Sequence, residues 1–268
     1  MQFVDYQAAF KTARLERSPD GVLTITLHSR GETLWWGALP HRELADLFAA
    51  VATDSDNRVV IVTGTGDEFI TLPDGGVGAL ATGGVTATEW DTIIREGNRL
   101  VTNLLDVEVP MIAAVNGPVA VHSELAVLCD IVLCTPDVSF QDVAHFPSGL
   151  VPGDSMQVVW PMLLGPNRGR YFLLTGQSLH AGEALALGVV GEIVERDELL
   201  SRATQLASGL AARHPVLLRN TRHALVRPLR RAMADDLHTG LALEAIASIA
   251  AGDEGRREEP ETPPNGAA

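Results

Sequence analysis

Two histidines and several carboxylates fall in and around one stretch, Val109 to Asp154, which reads VPMIAAVNGPVAVHSELAVLCDIVLCTPDVSFQDVAHFPSGLVPGD. His122 and Glu124 follow a turn, and His145 and Asp154 lie nine residues apart across a loop rich in proline and glycine. A carboxylate bonded to one ring nitrogen of a histidine fixes its tautomer, so the other nitrogen can take a proton from water. His145 and Asp154 can act in this way if the Pro/Gly loop folds back. For His122 the plain alternative is a hydrogen-bonded core histidine. Glu244 sits in GLALEAIASIAAG, where a lone carboxylate is costly unless it is paired or exposed. It is either a salt-bridge or solvated position, or an acid of a site. The tryptophan pair Trp35-Trp36, beside glycines and ahead of a helix, either packs or lines a pocket. His41, in the first turn of that helix, either caps it or meets a ligand.

No metal or cofactor is expected. The histidines lack HExxH or comparable ligand spacing, and the cysteines are not paired with them. The GTG at Gly64 is no dinucleotide fingerprint, and no P-loop Lys-Ser/Thr is present.

The elements that must position these residues alternate in type. Arg14–Ser18 and Val22–His28 flank Pro19-Asp20-Gly21 and predict a hairpin. A helix is predicted from His41 with Leu44, Leu47, Phe48 and Val51 on one face. Arg58–Thr63 reads as a buried strand, and the glycine-rich segment Gly64–Gly84 as a mobile loop or lid beside the site. Thr88 is a candidate cap for a helix whose apolar stripe, Trp90 to Leu105, reads as core. Met111–Val115, Asp130–Cys134 and a short segment at Phe140 are strands. Asn116-Gly117-Pro118 ends the first of them in a sharp turn. Helices are predicted over Asp154–Leu164, over Asn167–Thr175 and in the segment from His180, with a strand over Val189–Val194. From Asp197 the pattern is entirely helical. The tail from Gly252 is polar, acidic and proline-rich, which predicts disorder.

At 268 residues with 46% hydrophobic residues the chain can bury a sizeable core. The formal net charge is −14, with 34 acidic against 20 basic residues and Lys11 as the single lysine. That balance excludes a nucleic-acid or anionic-membrane surface as the main partner. It also suits the phosphates of coenzyme A poorly. Cys129 and Cys134 flank one strand and read as buried thiols of a reducing compartment. With no signal-peptide core and no run of 18 apolar residues, the reading is a soluble, cytoplasmic protein.

The order IAAVNGP, a short helix, CDIVL, a Phe and PSGLVPG resembles the crotonase (enoyl-CoA hydratase/isomerase) superfamily, and the likeness can be followed from Leu23 to Ala250. It implies an α/β fold, a crotonase-type ββα spiral core with a C-terminal α-helical trimerisation part. The boundaries drawn are a core over 1–196, an oligomerisation region over 197–251 and a disordered tail over 252–268. The departures are as telling. Val121-His122-Ser123 stands where the superfamily has three glycines that help to form an oxyanion hole. The loop usually written FSAGAD is here Phe69-Ile70-Thr71-Leu72-Pro73-Asp74. The second family glutamate falls on His145, and the first aligns with Glu124.

These replacements are similar to the β-diketone hydrolase branch typified by 6-oxocamphor hydrolase, in Phe140–Asp154, Val158–Gln177 and Leu241–Ala245. By that resemblance, the substrate is a small cyclic or bicyclic β-diketone, cleaved by a retro-Claisen reaction without coenzyme A. His145 and Asp154 activate water, and Glu244 positions water or transfers a proton. His122 and Trp36 hold a carbonyl through side-chain N–H groups; His41, from its place in the helix start, is a candidate substrate contact. A homotrimer or dimer of trimers is implied, with the basic cluster Arg227–Arg231 at a subunit surface. Two alternatives stand beside it: a divergent enoyl-CoA hydratase, isomerase or acyl-CoA hydrolase using Glu124 or His145, and a non-catalytic binding subunit of the same fold.

Overall fold

The computed structural model describes residues 1–72 and 78–258. After a short helix α1 (Phe3–Tyr6), strands β1 (Ala13–Arg17) and β2 (Val22–Leu27) form the expected antiparallel hairpin. From β2 onward one unit recurs: a strand of a large sheet, a strand of a small sheet, then a helix. The first unit is β2, β3 (Leu34–Trp35) and α2 (Ala38–Thr53). The second is β4 (Val59–Thr63), β5 (Ile70–Thr71), α3 (Gly78–Ala81) and α4 (Ala87–Asp106). The third is β6 (Met111–Val115), the single bridging residue Val119, and α5 (Glu124–Val127). The fourth is β7 (Ile131–Cys134), β8 (Ser139–Phe140), α6 (Met156–Leu164) and α7 (Pro166–Thr175). The chain closes through β9 (Leu179–His180), α8 (Ala181–Ala186), β10 (Glu192–Ile193), α9 (Leu199–Ala211) and α10 (Pro215–Glu258).

The large sheet runs in the order β1-β2-β4-β6-β7-β10 and is parallel throughout after the hairpin. Parallel strands joined by helices are covered on both faces, so they read as continuous apolar runs rather than alternating ones. Every residue of β4 and β6 is accordingly buried. Val22, Val59, Ile61, Ile112, Ala114 and Leu133 face α9, which meets them with Leu199, Ala203, Ala207 and Ala211, one residue per turn. The opposite face, including Leu23, Ile25, Val60, Val62 and Ala113, belongs to the main core with α2 and α4.

The small sheet sets the site. β3 pairs with β5, Ile70 bridges Val119, Val119 bridges Phe140, and β8 pairs with β9. Strand by strand, the residues just past these bridges arrive at one end of the small sheet: Trp36, Val121-His122, and Asp142 to His145. This is the ββα spiral that the sequence resemblance implies.

Several expectations change. The helix cap is Thr86, not Thr88: the Thr86 hydroxyl accepts from Glu89 N, and the Glu89 carboxylate accepts from Thr86 N at 2.8 Å. The residue three before an acid makes the reciprocal box, and Thr88 is already inside the helix. The stripe on α4 is not all core. Trp90, Leu100, Val101, Leu104 and Leu105 are buried, whereas Thr88, Thr92, Ile93 and Glu96 face a cavity. In the region 197–251, α9 fills the outer face of the sheet and Leu241 on α10 packs against Gly97. Within the cluster Arg227–Arg231, Arg230 pairs with Asp106 at 3.0 Å in the same chain. Helix α10 continues through Glu258, into the segment from Gly252 that the composition marks as disordered. Residues 259–268 lie outside the described residues. So do 73–77, and with them Pro73, Asp74 and the centre of the loop read as a lid. Cys129 and Cys134 are free and buried, and burial pushes both thiols up to about 12.

Candidate active site

A cavity of about 500 Å³ opens between α2, α4, the end of the small sheet and α10. That volume suits a small organic molecule. Trp36, His41, His122, His145, Asp154 and Glu244 all line it, so the six candidate residues share one site. A larger open groove of about 690 Å³ along Glu192, Glu198 and Arg202 carries the Arg202–Glu192 ion pair and, among the described residues, no histidine.

Trp36 extends the β3–β5 pairing by one more backbone bond, Trp36 N to Thr71 O at 2.8 Å. The alternation of a strand then turns Trp35 outward, 53% exposed, and Trp36 inward. The Trp36 indole stacks on the His122 imidazole, with ring centroids 3.7 Å apart. His122 itself has φ +50°, in the left-handed region that few residues other than glycine adopt. Among the described residues, two of the three non-glycine residues with positive φ, His122 and Ser155, adjoin the site. Such strain costs about 1–3 kcal/mol and clusters where function requires it.

His145 is held differently from the sequence expectation. Its Nδ1 lies 2.7 Å from Oδ1 of Asp142, and its backbone N–H donates to the same oxygen at 3.3 Å. Asp142 is fully buried three residues upstream, two residues past the end of β8. Asp154 instead approaches the other nitrogen, with Oδ2 3.4 Å from His145 Nε2 and 3.1 Å from His122 Nδ1. The Pro/Gly loop does fold back to bring His145 and Asp154 together, but Asp142 occupies the position that would set the tautomer. Glu244 reaches in from α10, its Oε1 3.8 Å from His145 Nε2.

The sequence reading missed a recurring arrangement: each pocket histidine carries a carboxylate on Nδ1. Asp142 serves His145, Glu124 serves His122 at 2.7 Å, and Glu96 serves His41 at 3.1 Å. Two of these pairs are local, with Asp142 three residues before its histidine and Glu124 two after. That spacing was the available signal. Glu96 belongs to a different helix and left none.

Burial drives the electrostatics. It pushes the Glu124 and Glu244 carboxyls up to about 8 and raises Asp154, because a charged carboxylate loses its hydration there. It lowers His122 to about 4 and lowers His41. For His145, burial acts downward, but the Asp154 and Asp142 carboxylates outweigh it and hold the imidazole well above its usual range. The donor atoms of His122, Glu124 and Asp154 lie within 4.8 Å of one another. Donors on one tetrahedral metal stand about 3.3 Å apart, from metal–ligand bonds of about 2.0–2.2 Å. The 2.7 Å between His122 Nδ1 and Glu124 Oε1 fits a shared proton better.

Comparison with known proteins places the chain in a family and beside several solved structures. The enoyl-CoA hydratase/isomerase family profile matches residues 17–251. The structure is similar to that of a β-diketone hydrolase from Anabaena sp. PCC 7120 bound to (S)-3-oxocyclohexyl acetic acid. That match has a TM-score of 0.87 and 38% identity, and covers 94% of this chain and 98% of the other. An enoyl-CoA hydratase/isomerase from Mycobacterium paratuberculosis gives a TM-score of 0.81 at 25% identity, covering 91% and 98%. Among curated sequences, a short-chain-enoyl-CoA hydratase from Clostridium acetobutylicum is 28% identical over 77% of this chain and 76% of its own length. A fatty acid oxidation complex subunit alpha from Shewanella frigidimarina is also 28% identical, and the match spans 77% of this chain but 29% of that much longer protein.

Proposed function

This chain belongs to the enoyl-CoA hydratase/isomerase family, and we propose that within it the protein hydrolyses a carbon–carbon bond of a cyclic or bicyclic β-diketone, without coenzyme A. The observation that carries this reading is His122 in a left-handed turn, stacked on Trp36, where the family pattern has its glycine run. An imidazole in that place replaces backbone donors shaped for a thioester with a side-chain donor facing a compact cavity. The 38% identity to the Anabaena β-diketone hydrolase supports it. The lining supports it too: among the described residues it presents Arg42 as its single arginine, beside Glu89 and Glu96, a poor match for a polyphosphate.

The reaction adds one water across one C–C bond. One carbonyl oxygen sits on His122 and the Trp36 indole. Water attacks the carbon of the other carbonyl and loses its proton to the His145–Asp154 pair, with Asp142 anchoring His145 at Nδ1. Collapse of the tetrahedral adduct breaks the bond between that carbon and the one between the ketones. The electron pair moves onto the held carbonyl as an enolate, stabilised by the two N–H donors, each worth about 3–4 kcal/mol in such sites. A proton from the His145, Asp154 and Glu244 cluster then reaches the enolate carbon, and a keto acid leaves. Burial raises both Asp154 and Glu244, and Glu244, pushed up to about 8, is able to hold that proton near neutral pH.

A thioester reaction is the second reading, favoured by curated relatives named as enoyl-CoA hydratases. Offering a 2,2-disubstituted or bicyclic 1,3-diketone and crotonyl-CoA in parallel separates the two. Keto acid from the diketone with an inert thioester upholds the proposal, and thioester turnover alone overturns it. Exposed apolar residues on α10, including Leu225, Leu243 and Ile246, suit packing between copies. Sedimentation of the free protein as a trimer or a multiple of three is the outcome that fits.

A further inference from the structure

We propose that Glu124 acts as a neutral carboxylic acid that donates its proton to His122 Nδ1, and so makes His122 Nε2–H the donor for the substrate carbonyl. The inference rests on the role of His122 given above and assigns a task to a buried acid that the reaction does not otherwise use.

His122 can hold a carbonyl only through a nitrogen that bears hydrogen. Its Nδ1 is engaged by Glu124 Oε1 at 2.7 Å, which leaves Nε2 for the substrate. A neutral imidazole carries one N–H. If Nδ1–H donated to an ionised Glu124, Nε2 would be a bare lone pair and would repel a carbonyl oxygen. The carbonyl-holding tautomer therefore needs a donor opposite Nδ1, and a protonated carboxyl is one.

Three features of the surroundings agree. Glu124 is 1% exposed at the first position of α5, and its Oε2 has no hydrogen-bond partner. An uncharged C=O tolerates that isolation far better than half of an anion. Asp154 Oδ2 stands 3.1 Å from the same Nδ1 without hydrogen-bond geometry, so two ionised carboxylates would crowd one nitrogen. Burial of Glu124 favours its neutral form and burial of His122 favours the uncharged ring. The titratable groups around the pair, His145, Asp142, Asp154 and Glu244, offer Glu124 no direct hydrogen bond of their own among the described residues.

Glutamine has the shape of protonated glutamate and an N–H that donates to Nδ1, whereas leucine has no donor. The test uses the full chain with ¹⁵N-labelled histidine and assigns the His122 signals by their loss in His122→Gln. At pH 6.5 the wild type and Glu124→Gln should both show an unprotonated Nδ1 and a protonated Nε2. On a β-diketone, Glu124→Gln should lose less than about 10-fold in kcat, while Glu124→Leu loses about 100-fold or more, the scale of one missing oxyanion donor. A protonated Nδ1 on wild-type His122 overturns the proposal, as does a Glu124→Gln loss as large as that of Glu124→Leu. Should Glu124→Leu not fold, the nitrogen shifts of the other two proteins decide. Those shifts need no substrate, so absence of diketone turnover would overturn the functional reading while the tautomer is still measured.

Discussion

Gly153 and Gly240 face each other at the closest approach of α10 to the site: a Cβ on Gly153 would lie 2.1 Å from the Gly240 carbonyl oxygen. Any side chain there must push α10 outward. Gly153 immediately precedes Asp154, and Gly240 lies one helical turn before Glu244. This contact sets the distance between the two carboxylates across the cavity. Gly153→Ala should leave a folded protein with kcat reduced about 10- to 100-fold, since displacements near 1 Å cost that much in a preorganised site. Steady-state kinetics with a diketone checks it, and an unchanged kcat would remove Glu244 from the reaction.

Asp142 makes the second prediction. Its carboxylate holds His145 Nδ1 at 2.7 Å and, together with Asp154, raises the imidazole well above its usual range. Asp142→Asn should lower kcat by about 10²–10⁴, as loss of an orienting carboxylate does in other histidine sites. The titration midpoint of His145 should fall in the same variant. A histidine raised in the fold stabilises it fully below its unfolded value, and that contribution is lost as pH rises through the folded value. The fall in Tm caused by Asp142→Asn should therefore be larger at pH 5.5 than at pH 10.

Glu244 titrates with the opposite consequence for a substitution. Burial, followed by the nearby acids Asp154, Asp142 and Glu124, pushes it up to about 8 against the pull of His145. Stability tied to its neutral form is complete below the unfolded value of 4.5 and lost as pH rises through about 8. Glu244→Gln, which cannot ionise, should gain Tm relative to wild type as pH goes from 5 to 9, while kcat falls. Thermal melts across that range give the sign directly. A gain that shrinks with pH would mean that Glu244 is ionised in the folded protein.

Asp154 touches both histidines, with Oδ2 3.1 Å from His122 and 3.4 Å from His145. Asp154→Asn should reduce turnover to about 10⁻³ of wild type or less, on the scale of removing one member of a proton-transfer pair. Its circular dichroism should be unchanged. Near-wild-type rates in that variant would take the pair out of the mechanism.

The spiral was legible in the sequence because its cause is local. Continuous apolar runs such as Val59–Thr63 and Met111–Val115, broken by Asn116-Gly117-Pro118 and followed by helical periodicity, can bury themselves only between layers of helix. Trp36, His122, His145, Asp154 and Glu244 could be named as candidates because each is a polar or amphipathic residue in an apolar or turn context. The resemblance supplied the remainder of their case. What each of them bonds to was decided in three dimensions. The choice of Asp142 over Asp154 at His145 Nδ1 depends on where the chain leaves β8, and Glu96 meets His41 only because α4 packs beside α2. Glu124 takes up His122 Nδ1 because a left-handed turn at His122 swings the ring onto the start of α5. Periodicity assigns a residue to a face. Hydrogen bonds a few ångströms long, and the protonation they impose, follow from the packing of elements far apart in the chain.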